Sequence, residues 1–213
     1  MIRKAKICGL TDEDAVVAAV KYGAAFLGAV FFPPSPRHLS PERAAELFDG
    51  TPEEIVKVGL FVDPTDDDLD QVLALVRLDM IQLHGSESPE RVDAVRAEFG
   101  LPVMKALSIR DRNDLDQAAR YADHADWLLF DAKAPEAAAC PGGNAQSFDW
   151  SVLEGFHSPL PWMLAGGLTP DNVAEALRRT NAAVVDVSSG VERAPGQKDP
   201  AKIKAFLKAV NEG

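Results

Sequence analysis

The sequence predicts an α/β protein built as a single (β/α)8 barrel, the TIM-barrel architecture, across residues 1–213. Short and almost uninterrupted apolar runs recur along the chain, as parallel strands buried on both faces require. Stretches with helical spacing of apolar residues separate these runs. Eight such units in 213 residues match the small end of the barrel's size range, which begins near about 200 residues. An open, doubly wound sheet is the alternative architecture.

The elements follow one another in a regular order. Eight strands are predicted at residues 2–7, 26–31, 55–62, 80–83, 102–109, 127–130, 162–165 and 183–187. Helices are predicted between them and after the last strand, including 12–22, 111–121 and 200–210. Ser40 and Ser88 each precede a proline, a combination typical of a helix start. A long loop over about 132–148 exceeds ordinary connection lengths and is a candidate lid.

Composition limits the possible partners. A formal charge of -11 and a pI near 4.8 argue against binding to nucleic acid or to an anionic membrane surface. Only Cys8 and Cys140 are present, too few for a disulfide framework, and no long apolar segment follows Met1. We therefore expect a cytoplasmic protein in a reducing compartment. Its protein partners remain unknown at this level.

Cys8 and Asp131 are the candidate acid–base pair. Cys8 follows the first apolar run and precedes a helix start, whereas Asp131 closes the sixth run across the barrel. A substrate between them could lose a proton to one and gain a proton from the other. Cys8 would act as a thiolate, so the site is expected to lower its pKa. The alternatives are a small buried cysteine and a loop-capping aspartate.

Two glycine-containing loops are candidate phosphate sites. Gly166 and Gly167 follow the seventh strand, and Ser188, Ser189 and Gly190 follow the eighth. Barrels often bind phosphate there through backbone amides, and glycine lets the backbone approach an anion closely. Tight turns that need a positive φ are the alternative.

Two further side chains are candidate substrate contacts. Arg37 lies in a loop bounded by prolines, and its guanidinium would suit a substrate carboxylate. His84 ends the fourth strand and could donate to substrate, although it could equally be structural. The four histidines show no paired metal-ligand spacing. No full Gly-x-Gly-x-x-Gly fingerprint, Walker loop or Gly-x-Ser-x-Gly elbow is present.

Eight segments together resemble the phosphoribosylanthranilate isomerase family. They are KICGLT at 6–11, FFPPSPRHLS at 31–40, VGLFVD at 58–63, QLHG at 82–85, LLFDAK at 128–133, FDW at 148–150, LAGGLTPDNV at 164–173 and DVSSGVERAPGQKD at 186–199. The resemblance covers essentially the whole chain and implies an enzyme of tryptophan biosynthesis. Such an enzyme converts N-(5-phosphoribosyl)anthranilate, a phosphosugar, by an Amadori rearrangement, and the resemblance implies no cofactor and no metal.

The resemblance also assigns residues. It implies Cys8 as general base, Asp131 as general acid and Arg37 as the holder of the anthranilate carboxylate. The phosphate loops match the five residues given above, and Asp186 and His84 match sugar or ring contacts. One departure is Ala145, which stands where this loop commonly has glycine. Another phosphosugar isomerase or epimerase on the same barrel, and a barrel that only binds phosphosugars, are the competing hypotheses.

Overall fold

The computed structural model describes residues 3–132 and 149–213. Within them, eight parallel strands close into a barrel in which each strand pairs with the next and the eighth pairs with the first. The strands are β1 Lys4–Cys8, β2 Phe26–Val30, β3 Val56–Phe61, β4 Met80–Leu83, β5 Val103–Ile109, β6 Trp127–Ala132, β7 Trp162–Leu164 and β8 Val184–Val187. The barrel prediction is confirmed.

Helices cover the outside of the barrel in the described part of the chain. They are α1 Glu13–Lys21, α2 Pro41–Phe48, α3 Asp66–Leu73, α4 Pro89–Phe99, α5 Gln117–Arg120, α6 Val173–Thr180 and α7 Pro200–Glu212. Ser40 and Ser88 accept hydrogen bonds from backbone N–H groups in the first turns of α2 and α4, as their sequence context predicts. No helix in the described ranges is long and apolar enough to cross a membrane.

Three local predictions need correction. Cys8 and Asp131 lie inside β1 and β6, because the ladder pairing continues through Cys8 and on to Ala132. The helix predicted at 111–121 is a 3₁₀ turn, Arg112–Asp116, followed by the short α5. Before β7, the described residues form a 3₁₀ turn, Trp150–Leu153, where regular alternation would have placed an α-helix. The candidate lid, including Ala145, lies outside the described residues.

A short hairpin extends the loop after β8. The 3₁₀ turn Ser189–Val191 leads into β9 Glu192–Ala194, which pairs antiparallel with β10 Gln197–Lys198. The Asp199 side chain then accepts from two backbone N–H groups at the start of α7. The hairpin therefore brings Lys198 back against Ser188, just after β8, before the last helix begins.

The inside of the barrel changes character along its axis. Because strand side chains alternate between faces, every second residue points into the barrel. Met80, Leu129 and Val184 belong to one buried apolar cluster inside the barrel. Two residues further along the same strands stand Gln82, Asp131 and Asp186, which are all buried and polar. The interior of the barrel thus holds a layer of apolar side chains near the amino ends of the strands and a layer of polar side chains near their carboxyl ends. (The helices pack outside on a separate, larger apolar cluster.)

Candidate active site

Cys8 occupies a tight space at the carboxyl end of β1. The residue is 3% exposed and faces Gly28 of β2, with which it is in register. A β-carbon at position 28 would lie 3.0 Å from the Cys8 Sγ and 3.2 Å from Cε of Lys6. Contacts this short would force both side chains to move. Glycine on β2 therefore makes the room in which the thiol and the neighbouring lysine stem pack.

Lys6 is the cation that most strongly favours the thiolate form of Cys8 in the described structure. Its side chain is fully buried, and Nζ lies 3.1 Å from Oδ1 of Asp186 and 2.8 Å from Oε1 of Gln82. Burial alone would lower the pKa of Lys6, but attraction to Asp186 and to the Cys8 sulfur outweighs it and raises that pKa. Lys6 is therefore a persistent ammonium ion inside the barrel.

The pKa of Cys8 is raised, contrary to the expectation from sequence. Burial is the largest cause, and the negative charge of Asp186 adds to it, while Lys6 and Lys198 oppose both. Lys6 does not overcome the effect of burial, because Asp186 lies 3.1 Å from its ammonium group and neutralises much of its charge. In the ligand-free protein Cys8 is thus a neutral thiol at neutral pH, in contact with a polar layer and not surrounded by aliphatic groups alone.

Thiol alkylation will check this direction. In a Cys140→Ser background, where Cys8 is the only thiol, we expect the alkylation rate to rise with pH through a pKa above that of a free thiol. The Asp186→Asn substitution should move this profile to lower pH, because the carboxylate opposes formation of the thiolate. Iodoacetamide kinetics followed by mass spectrometry measure both profiles. A profile for Cys8 below that of free cysteine, or no change in Asp186→Asn, would contradict the assignment.

Asp131 contacts a backbone amide and a histidine ring at the mouth of the barrel. The residue is buried, and its Oδ1 accepts from the backbone N–H of Ala132 at 2.8 Å. Its Oδ2 lies 3.3 Å from Nε2 of His84, which follows β4. The second ring nitrogen, Nδ1, lies 2.9 Å from Nε2 of Gln82. His84 therefore contacts the candidate acid directly.

One chain of polar contacts crosses the barrel from β1 to β6. Gln82 on β4 joins Lys6 through its oxygen and His84 through its nitrogen, and His84 reaches Asp131. Lys6 is two residues from Cys8 on the same face of β1. Around the wall, β6 is followed by β7, β8 and β1, so the two strands are three steps apart and not diametrically opposed. The predicted base and acid thus belong to one connected polar layer.

Arg37, in the loop bounded by prolines, is buried and paired. Its Nε and Nη2 lie 2.7 and 2.9 Å from the two carboxylate oxygens of Glu192, a bidentate pair. A β-carbon at Gly9, where φ is +72°, would come within 2.6 Å of Cδ of Arg37. Gly9 therefore allows the arginine stem to lie against the loop that follows Cys8. Glu192 in turn fixes the plane of the guanidinium.

Lys198 ties this ion pair to the loop after β8. Its Nζ lies 2.7 Å from Oε1 of Glu192 and 3.0 Å from the carbonyl oxygen of Ser188. Burial lowers the pKa of Lys198, with Glu192 opposing the shift. The pKa of Glu192 is lowered: burial would raise it, but its hydrogen bond to Arg37 and the charge of Lys198 outweigh burial. Two cations thus share one carboxylate, which leaves local positive charge in an acidic protein.

The candidate phosphate loops lie side by side. Gly166 and Gly167 have φ values of +89° and +63°, so both need the left-handed conformation that glycine tolerates. Gly190 packs directly on the carbonyl oxygen of Leu168, where a side chain would clash. Within the described ranges, the backbone N–H groups of these three glycines and of Ser189 donate no hydrogen bond to the main chain. Such amides can bind an anion.

Four site residues were missed by the sequence reasoning: Lys6, Gln82, Glu192 and Lys198. All four lie inside the segments KICGLT, QLHG and DVSSGVERAPGQKD, which were singled out for other members. The period of two on a strand offered a signal for Lys6 and Gln82, because Cys8 and His84 lie two positions later. Nothing local indicates that Glu192 pairs with Arg37, since 155 positions separate them.

The fold and the polar layer define the protein's class: it is a β/α barrel with a buried polar layer at the carboxyl ends of its strands, where barrel enzymes place their active sites. The profile of the family described as N-(5'phosphoribosyl)anthranilate (PRA) isomerase matches residues 5–209. The chain belongs to this family of isomerases.

Individual relatives agree with this membership. The chain is 64% identical over 208 residues to N-(5'-phosphoribosyl)anthranilate isomerase of Paramagnetospirillum magneticum, covering 98% of this chain and 97% of that protein. The crystal structure of phosphoribosyl anthranilate isomerase from Thermotoga maritima matches with a TM-score of 0.89 at 34% identity, over all of both chains. A phosphoribosyl anthranilate isomerase solved with reduced 1-(o-carboxyphenylamino)-1-deoxyribulose 5-phosphate matches with a TM-score of 0.85 at 33% identity, also over both entire chains.

Proposed function

We propose that the protein catalyses the Amadori rearrangement of N-(5-phosphoribosyl)anthranilate to 1-(2-carboxyphenylamino)-1-deoxyribulose 5-phosphate in tryptophan biosynthesis. The observation that carries the proposal is similarity to N-(5'-phosphoribosyl)anthranilate isomerases along nearly the entire chain. The polar layer supports it independently, because a thiol and a carboxyl group lie at its two ends. Residues 1–213 act as one catalytic barrel in this proposal.

Asp131 acts first, as the general acid. In its protonated form it donates to the ribose ring oxygen, which leaves the anomeric carbon as the ring opens. The anthranilate nitrogen supplies the electron pair for a cationic imine. His84 and the Ala132 amide hold the Asp131 carboxyl in a fixed position while this happens. A positioned acid of this kind contributes about 10² to 10⁴ in rate.

Cys8 acts second, as the general base. The imine makes the proton on the neighbouring carbon acidic, and the Cys8 thiolate removes it to give an enol-amine that tautomerises to product. The thiol is neutral in the ligand-free protein because burial raises its pKa. Lys6 and the positive charge of the imine both lower the pKa of Cys8 in the complex, so the thiol releases its proton to solvent and the resulting thiolate takes the proton from carbon.

The two ends of the substrate are anionic and need separate anchors. We assign the phosphate to the loops of Gly166, Gly167, Ser188, Ser189 and Gly190. Their glycine geometry and their backbone N–H groups support this assignment. We assign the anthranilate carboxylate to Arg37. Asp186 and His84 complete the site as candidate contacts to the sugar or the ring. Anchoring both ends orients the reacting carbons between the acid and the base.

We further place the protein in the cytoplasm, acting on a small phosphosugar without nucleic-acid or membrane partners. Free Cys8 and the acidic composition support this placement.

The decisive experiment is a fluorescence assay of the purified protein. Phosphoribosylanthranilate fluorescence is followed in the presence of a chelator and with no added metal or cofactor. We expect enzyme-dependent loss of the signal and formation of the carboxyphenylamino-deoxyribulose phosphate, identified by mass spectrometry. Loss of fluorescence at the uncatalysed rate would refute the proposal.

Replacing Arg37 by alanine tests the carboxylate anchor. We expect KM to rise at least about tenfold, with a smaller change in kcat, because a charged hydrogen bond to the substrate contributes about 1.5–3 kcal/mol. Glu192 keeps Lys198 as a partner, so the fold should survive. The matched control is Arg43→Ala, which removes a guanidinium that contacts the carboxylate of Glu46 on the helix surface. Steady-state kinetics decide the question, and an unchanged KM in Arg37→Ala would count against the contact.

A further inference from the structure

We propose that Lys6 and Gln82 are positioning residues that hold His84 in the tautomer with its proton on Nε2, and that this tautomer reserves the acidic proton of Asp131 for the substrate. The proposal rests on the function given above, in which Asp131 is the general acid. Its first part, the tautomer of His84, is a property of the protein alone and can be measured without substrate.

Lys6 determines how the Gln82 amide is oriented. An ammonium group has three donors and no acceptor, so the atom 2.8 Å from Nζ must be the amide oxygen. The reversed amide would set an NH₂ group against the ammonium inside the barrel, where both side chains are fully buried. Two opposed donors in that environment would each lose a partner. Lys6 is itself held by Asp186, 3.1 Å away.

Gln82 in turn determines the tautomer of His84. With its oxygen towards Lys6, the amide presents its NH₂ group to Nδ1 of His84 at 2.9 Å. An NH₂ group only donates, so Nδ1 must be the nitrogen with the free electron pair. In a neutral imidazole the proton then lies on Nε2. The donors and acceptors of Lys6 and Gln82 thus determine both the orientation of the amide and the tautomer of the ring.

The chosen tautomer matters because Nε2 faces Asp131 at 3.3 Å. With its proton on Nε2, His84 presents an N–H group to Oδ2, and the Ala132 amide donates to Oδ1. Neither partner accepts a proton. In the other tautomer, Nε2 would present an electron pair, and a protonated Asp131 would donate to His84. The proton required at the ribose ring oxygen would then be bound within the protein.

The backbone around His84 is also fixed. Nζ of Lys105 donates to the carbonyl of Gly85 at 2.7 Å and lies 3.5 Å from that of Leu83, the residues on either side of His84. Glu87 pairs with the same ammonium at 2.8 Å and accepts from the Gly85 amide. These contacts hold the backbone on both sides of His84 in place. The imidazole ring is therefore expected to keep the same hydrogen-bond partners.

The test is Gln82→Glu, a nearly isosteric change that makes both side-chain oxygens acceptors. Lys6 still has an acceptor, but Nδ1 of His84 now faces a carboxylate and must carry a proton. We expect heteronuclear NMR of isotope-labelled protein to show the Nε2–H tautomer of His84 in the wild type and a protonated Nδ1 in the variant. We also expect kcat to fall at least about tenfold, because His84 would either accept the proton of Asp131 as the Nδ1–H tautomer or keep Asp131 ionised as an imidazolium, and a positioned acid contributes about 10² to 10⁴ in rate. The matched control is Gln71→Glu at an exposed position of α3, which should change neither the tautomer nor kcat.

Each outcome bears on a separate claim. A proton on Nδ1 in wild-type protein, or a Gln82→Glu variant that keeps both the Nε2–H tautomer and full turnover, would overturn the proposal. A wild-type protein with the expected tautomer but no isomerase activity would refute the proposed function and leave the tautomer assignment supported. If Gln82→Glu does not fold, the wild-type spectrum still decides the tautomer. In that case Lys6→Met, which frees the amide to rotate, should show both tautomers of His84.

Discussion

Replacing Cys8 by serine is expected to lower kcat by about 10² to 10⁴, the contribution of one positioned proton transfer. A hydroxyl group fits the space beside Gly28 that the larger sulfur now fills, so packing should change little. The chemistry changes greatly, because a serine hydroxyl is a much weaker acid than a thiol and supplies no useful concentration of base near neutral pH. Product affinity should remain close to that of the wild type.

The Cys8→Ala variant distinguishes a role of Cys8 as general base from a role as a hydrogen-bonding group. If the sulfur removes a proton, the serine and alanine variants should both be inactive to a similar extent. If the residue only offers a hydrogen bond, serine should keep much of the activity and alanine should not. Single-turnover kinetics and calorimetric binding of a product analogue measure the two effects. Normal turnover by Cys8→Ser would remove Cys8 from the mechanism.

Replacing Asp131 by asparagine is expected to have an effect of similar size, because an amide cannot transfer a proton to the ribose ring oxygen. We expect kcat to fall by about 10² to 10⁴. The change also disturbs the local hydrogen bonds. Oδ1 accepts from the Ala132 amide and Oδ2 lies 3.3 Å from Nε2 of His84, whereas an asparagine would place an NH₂ group in one of these two positions. Some loss of thermal stability should therefore accompany the loss of activity.

Asp123→Asn is the matched control for this prediction. Asp123 lies on the exposed surface shortly before β6, so the same substitution there should leave kcat unchanged. Thermal unfolding of both variants shows how much of the effect is structural. Asp131→Asn with a wild-type rate would exclude Asp131 as the acid, whatever its stability.

Much of the architecture was predictable because local patterns and barrel geometry agree. The apolar run of β4 was predicted at residues 80–83 and is observed at Met80–Leu83. The boundaries of β1 and β6 were placed too early, because polar residues were taken as strand ends. In a closed barrel the inner face is polar near the mouth, so Cys8 and Asp131 remain in the ladder.

The prediction that a helix follows every strand was wrong where the sequence has little helical spacing of apolar residues. The segment around Arg112–Asp116 has an aspartate cap that favours a short 3₁₀ turn, and only the four residues of α5 continue as α-helix. These departures lie on the outside of the barrel. They do not alter the positions at which strands deliver side chains to the mouth.

The barrel, the order of its strands and the resemblance to its family were all predictable from the amino-acid sequence. Those properties depend on periodicity, capping and short motifs, which are local along the chain. The pairing of the buried charges, in contrast, depends on the folded barrel. Lys6 meets Gln82 and Asp186 across 76 and 180 positions, and Arg37 meets Glu192 across 155. Because these contacts form only when the barrel closes, the raised pKa of Cys8 and the orientation of His84 could not be read from local pattern.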